Sequence, residues 1–269
     1  FKWYICIMIA KRLFLFLLIV IGLLVGSCSE YQRVQKSTDI EYKYQMAVKY
    51  YENEDYIKAY PLFEELLPLM RGTEQAELLN YYYCYCNYYL SDYVMAAYHF
   101  SRFSRTFPNS QYVEEARFMT AYCNYRNSPV YSLDQTNTYQ AIQDFRRFIA
   151  LYPNSQLKDS ASVLKNELEV KLEEKAKENA LLYYKTEDYK SAIVAMNIFL
   201  QDYPTSNYAE MMTYYIFRSS YLLAINSVQK KKEERLDNAI DAYYNFVDNF
   251  NTSEYLAEAE NLYTKLLST

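Results

Sequence analysis

Glycine is nearly absent from this sequence. Three occur in 269 residues, and Gly22 and Gly26 lie in an apolar leader, so Gly72 stands alone in the rest of the chain. A loop that cradles phosphate needs several glycines for close backbone approach, which excludes nucleotide-binding folds of that kind. Tight β-hairpins also favour glycine. Histidine is as scarce, with His99 the only one. A Ser-His-Asp or Cys-His arrangement would have a single base and no supporting motif around it. An excess of basic residues is missing too. Lys plus Arg number 28 against 33 Asp plus Glu; removing Lys2, Lys11 and Arg12 with the leader leaves 25 against 33, a net charge of −8. Phosphate backbones require clustered Lys and Arg, so nucleic acid is set aside as a partner. What is abundant is Tyr, Ala, Leu and Glu, a composition that points to an all-helical protein.

The apolar run Leu13–Val25 is thirteen residues long. A bilayer span needs about 20, whereas the apolar part of a secretory signal needs about 7–15 after a basic residue. Lys11 and Arg12 supply that basic flank. Met8 reads as the start of translation, so residues 1–7 carry no information. Val25-Gly26-Ser27-Cys28 follows. Small residues and then cysteine resemble a bacterial lipobox, with cleavage between Ser27 and Cys28 and acylation of Cys28. One acyl chain binds a membrane marginally, and several anchor it durably. The expected organisation is a signal peptide over 1–27, a lipidated linker over 28–38 and a helical repeat domain over 39–269.

Four stretches repeat: FPNSQYVEEA from Phe107, YPNSQLKDSA from Tyr152, YPTSNYAEMM from Tyr203 and FNTSEYLAEA from Phe250. Proline ends the preceding helix. Ser110, Ser155, Ser206 and Ser253 stand where an N-cap oxygen meets free backbone N–H groups. Glu114, Asp159, Glu210 and Glu254 then suit the positive end of the next helix. Each stretch reads as a helix–helix corner. Eleven residues before each corner aromatic comes Ala96, Ala141, Ala192 or Ala239. Seven before comes Phe100, Phe145, Met196 or Tyr243, and four before comes Phe103, Phe148, Phe199 or Phe246. A weaker corner at Met70 adds Ala59, Phe63 and Leu66. Offsets of 11, 7, 4 and 0 share one helix face. This resembles the second helix of a tetratricopeptide repeat, and Ala47, Cys84 and Ala180, twelve residues before their repeat's alanine, match the small position of the first helix. The expected fold is an all-α tetratricopeptide-repeat solenoid of about five helix pairs.

Corners are spaced by 37, 45, 51 and 47 residues, against about 34 for the standard repeat. The excess is placed in a loop over Ser128–Asn137, in one long helix from Ser155 to about Lys185, and in a charged loop or helix extension over Val228–Asp237. Pro61 falls inside an expected helix and predicts a kink.

His99 lies one residue before Phe100, off the buried stripe, and reads as a surface residue. Cys84 and Cys86, two apart on a helix, point to different faces, so buried thiols are favoured over a metal site; Cys123 is read the same way. A Cys86–Cys123 disulfide would suit an oxidising compartment. Tyrosine is the unusual residue, at 34 copies, and YYYCYCNYY (Tyr81–Tyr89) spans every face of a first helix. First helices line the concave face of a solenoid. Tyr supplies either an aromatic groove for peptides or a substitute for Phe and Leu in the core, and both readings stay open.

A lipobox ahead of about five such repeats, with YPNSQ entering a long fourth-repeat helix, resembles the BamD family of outer-membrane protein assembly factors. CSEYQRV (Cys28–Val34), SPVYSLDQT (Ser128–Thr136) and KKEER (Lys231–Arg235) look like its Bacteroidetes branch. The resemblance implies a non-catalytic scaffold, without cofactor or metal, lipid-anchored on the periplasmic side of the outer membrane. It implies binding to the POTRA domains of BamA and to unfolded outer-membrane proteins. Carried over by position, Tyr50, Tyr82, Tyr85 and Tyr89 would form a groove for substrate peptides, while Lys230, Lys231, Lys232 and Arg235 would face BamA. Surface export in that branch goes with an acidic cluster after the cysteine; here Glu30 is the lone acid nearby, which favours the periplasm. The rival reading is a tetratricopeptide lipoprotein serving another cell-envelope assembly.

Overall fold

The computed structural model describes residues 30–268. Ser27 and Cys28, and with them the expected cleavage and lipid attachment, lie outside the described residues. Residues 30–36, inside the stretch read as a linker, are helical, and Val34 is fully buried. Eleven helices follow: α1 (Ile40–Glu52), α2 (Tyr56–Leu69), α3 (Ala76–Tyr89), α4 (Tyr93–Thr106), α5 (Val113–Arg126), α6 (Thr136–Leu151), α7 (Lys158–Lys185), α8 (Tyr189–Asp202), α9 (Ala209–Ile225), α10 (Gln229–Asn249) and α11 (Leu256–Leu267). No strand occurs among the described residues. None of their helices is long and apolar enough to cross a membrane. The fold is all-helical and of the tetratricopeptide-repeat class, as the repeated corners and the stripe at offsets 11, 7, 4 and 0 predict. The segment from Ser155 becomes the 28-residue α7, and Val228–Asp237 becomes the start of α10. α2 continues through both Pro61 and Pro68.

The stripe read from the sequence is the core. Ala59, Ala96, Ala141, Ala192 and Ala239 are all 0 % exposed. Phe63, Phe100, Phe145 and Met196 are fully buried, as are Leu66, Phe103, Phe148, Phe199 and Phe246 to within 2 %. Tyr243 alone of that set is half-buried. Each buried Phe contributes about 2–3 kcal/mol of apolar transfer. A side chain as small as alanine at each of these fully buried positions lets neighbouring helices pack closely. Ala47, Cys84 and Ala180 are buried opposite, as their small size predicts.

Two turn types connect the helices. Within the first, second and fourth pairs the chain reverses through a residue with left-handed backbone: Glu54 (φ 60°), Ser91 (φ 63°) and Glu187 (φ 63°). The next residue in each case is an aspartate N-cap. Asp55, Asp92 and Asp188 accept from the N–H of Lys58 (3.4 Å), Met95 (3.1 Å) and Ser191 (3.2 Å). Between pairs, the corner serines do not sit at the helix N-cap. They act one short turn earlier: Ser110, Ser155, Ser206 and Ser253 accept at 3.0 Å from the N–H of Tyr112, Leu157, Tyr208 and Tyr255. Three of the four also make a second bond. Ser110 donates to Glu77 (2.6 Å), Ser155 to Glu114 (2.5 Å) and Ser206 to Glu173 (2.5 Å), each glutamate lying on the preceding pair's first helix. Glu254 therefore falls before α11 rather than in its first turn. At the Met70 corner, Gly72 takes φ 80° with nothing near its missing Cβ; backbone conformation alone calls for glycine there.

The chain packs as two compact units. One holds the described residues up to Ser128 and Thr136–Lys165, and the other Pro129–Gln135 and Asn166 onward. The first contains α1–α6. In the second, Ala180 of α7 packs with Ala192, Met196 and Phe199 of α8 and with Met212 of α9, and α11 closes over Ala224 and Ala239 through Leu266. The inserted loop folds with this second unit. Gln135, 3 % exposed, gives its amide to the carbonyls of Val130 (2.9 Å) and Leu133 (3.0 Å), and Lys175 Nζ donates to those of Tyr131 and Leu133.

Candidate functional site

The tyrosines of the first unit form a continuous aromatic array at the ends of helix pairs. It grows from a local rule, Tyr-x-x-x-Asp-Tyr. The left-handed turn brings the tyrosine after each cap aspartate back onto the one five residues earlier, and the rule recurs once in the second unit. Ring centroids are 5.6 Å apart for Tyr51–Tyr56, 5.7 Å for Tyr88–Tyr93 and 6.0 Å for Tyr184–Tyr189. Neighbouring pairs then join. Tyr56 stacks on Tyr89 at 4.3 Å and Tyr51 lies against Tyr82 at 4.4 Å. Tyr88 reaches Tyr122 of α5 at 6.2 Å, and Arg126 caps Tyr93 with its guanidinium 4.6 Å above the ring.

Three of the four expected groove residues belong to this array. Tyr89 is 46 % exposed and touches Tyr85 at 5.7 Å. Tyr82 is half-buried and joins through Tyr51. Tyr85 is different from the other two: it is 9 % exposed, packs edge-on against Phe100 at 5.0 Å, and donates its hydroxyl to Glu115, which also accepts from Tyr81 at 2.8 Å. Burial, reinforced by that carboxylate, pushes the Tyr85 phenol far above its ordinary value, so it stays a neutral donor. Tyr50 turns away, edge-on to Tyr31 at 5.8 Å and under Lys58 Nζ at 5.5 Å. Tyr51 and Tyr56, and Tyr88 within the tyrosine-rich stretch, fall outside the residues expected in the groove, although the Asp-Tyr repeat marks Tyr56 and, five residues before each Tyr, Tyr51 and Tyr88.

Lys230, Lys231 and Lys232 open α10, with Lys230 and Lys231 exposed and Lys232 half-buried. Arg235 donates to Ser227 Oγ at 2.6 Å and lines a cavity of about 370 Å³ with Ile193 of α8 and Ile216 of α9. His99 corrects the surface reading. It is half-buried because α3 packs beside it, with the Tyr83 ring 4.8 Å away. Burial, with Arg102 adding to it, lowers its pKa. Cys84, Cys86 and Cys123 are buried free thiols, so the Cys86–Cys123 disulfide is not formed. Burial pushes Cys86 and Cys123 up to about 12, which leaves them protonated and poorly nucleophilic. Among the described residues no group of three or more His, Cys, Asp or Glu could hold a metal. The arrangement offers a contact surface of rings with hydroxyl rims.

The family described as YfiO, outer membrane lipoprotein, matches residues 36–173, which runs from ahead of α1 into α7. The tetratricopeptide-repeat family matches residues 180–206, the stretch that carries Ala180, Ala192, Phe199 and Pro204. No curated protein matches the chain. With more than half of its length covered and the repeat geometry on both sides of α7's midpoint, the chain belongs to the YfiO family of outer membrane lipoproteins, BamD-like proteins built from tetratricopeptide repeats.

Proposed function

We propose that this chain is a non-catalytic lipoprotein scaffold of the outer-membrane β-barrel assembly machinery. It is anchored through Cys28 on the periplasmic side, binds the POTRA domains of BamA and receives unfolded barrel precursors. The observation that carries this reading is the family match over residues 36–173. The aromatic array supports the substrate half. Exposed rings such as Tyr89, with partly buried neighbours holding them in place, suit apolar and aromatic residues of an extended peptide, since an aromatic contact adds about 0.5–1.5 kcal/mol beyond area burial. The basic start of α10 supports the BamA half, since exposed Lys230 and Lys231 offer charge for steering an acidic partner surface.

Site-specific photo-crosslinking in cells tests both halves. A benzophenone side chain at Tyr89 should capture barrel precursors, and one at Lys231 should capture BamA. Capture of neither from either position refutes the assignment of surfaces.

A further inference from the structure

Arginine is unevenly placed in this acidic chain. Two cavities flank α4. The first, about 480 Å³, lies between α2, α3 and α4 and is lined by Arg71 and Arg102 beside His99, with no carboxylate in its wall. The second, about 210 Å³, lies between α4, α5 and α6 and is lined by Arg105, Arg117 and Arg147. Its one acid, Asp144, already accepts from the side-chain amides of Asn124 and Gln140 at 3.0 Å each. None of the five guanidiniums forms an ion pair within the described residues; Arg117 has only the Tyr152 ring, at 5.9 Å. Arg218 shows the contrast, pairing with Glu258 at 3.1 Å. Arg102 and Arg105 stand three residues apart on α4, one turn, which joins the two cavities into a strip. Lysine lines neither cavity. Arginine's planar fork is the side chain suited to bidentate capture of an oxyanion.

We propose that this strip binds an extended acidic segment of a protein partner, with Asp or Glu carboxylates seated in the two arginine cavities. Size favours a chain over a single anion. The strip crosses α2, α4 and α6, and helix spacings of about 8–10 Å give it a length on the order of 20 Å. An extended chain rises about 3.3 Å per residue, so about six residues span it, whereas one phosphate fills one cavity. The walls favour a peptide too: Leu67 and Phe107 in one cavity, Phe148 and Leu151 in the other, receive apolar side chains between the acids. The net negative charge of the remainder repels a polyanion elsewhere and confines it to the strip. This proposal is independent of the barrel-assembly reading.

Calorimetric titration of the full-length protein in neutral detergent tests it, with an eight-residue peptide alternating Glu and Leu as the probe. Binding should weaken with added salt. Arg105→Gln/Arg147→Gln and Arg71→Gln/Arg102→Gln should each cost at least about tenfold in affinity, while Lys36→Gln/Lys190→Gln, which removes the same charge from exposed sites, should cost less than about twofold; a tenfold loss is about 1.4 kcal/mol. A benzophenone-bearing version of the peptide should crosslink within residues 101–107 of the wild-type protein, a readout that holds even if a variant unfolds. Equal losses in the cavity and control variants, no binding to wild type, or crosslinks elsewhere would overturn the proposal. So would displacement of the peptide by inorganic phosphate or by phosphatidylglycerol vesicles at low concentration, which would assign the strip to a free or lipid-borne phosphate.

Discussion

At Ser91 the backbone takes φ 63° with an exposed side chain. A left-handed conformation costs a non-glycine residue about 1–2 kcal/mol, and glycine gives part of that back as unfolded-state entropy. Ser91→Gly should therefore raise stability by about 0.5–1 kcal/mol, read as a higher denaturant midpoint with an unchanged slope. His99 gives a pH dependence. Its folded pKa lies below the ordinary 6.5 because burial, and then Arg102, disfavour the charged ring, against Asp92 and Glu64. Between the folded value and 6.5 the unfolded chain binds more protons, so stability rises with pH across that window and falls as pH drops below about 6.5. His99→Phe should flatten that slope. A slope unchanged in the variant would show that other groups carry it. Neither feature was legible in the sequence. A left-handed turn without glycine leaves no compositional mark, and the half-burial of His99 depends on a tyrosine from another helix.

Helices and their packing were far more legible. The recurrence of alanine eleven residues before each corner, with large apolar residues at seven and four, specifies a single face, and every alanine on it is fully buried. Ala96→Leu forces a branched side chain into that contact and should cost about 1–3 kcal/mol by overpacking, measured by chemical unfolding. Wild-type stability in that variant would mean the contact has slack. The corners were placed correctly but their chemistry was incomplete. A serine near a helix start reads as an N-cap, whereas the structure turns it toward Glu77, Glu114 or Glu173, 33 to 41 residues earlier in the chain. That pairing needs the fold to exist before it can be seen. The same holds in the aromatic array. Tyr89 is exposed, as a groove residue has to be, but Tyr85, four residues before it, is buried by Phe100 and engaged by Glu115, which only packing reveals.

At the scale of the whole molecule, the leader and the repeats carry separate claims. Acylation at Cys28 should be lost in Cys28→Ala, with no radiolabelled palmitate incorporated and the protein released from the membrane fraction. Labelling that persists would move the anchor elsewhere. The central claim is a partnership with BamA. The most direct measurement is affinity purification of the tagged, full-length chain from solubilised membranes, followed by quantitative mass spectrometry. The scaffold account predicts BamA in near-equal amount to the bait; a purification that yields the bait with another envelope assembly and no BamA would contradict it.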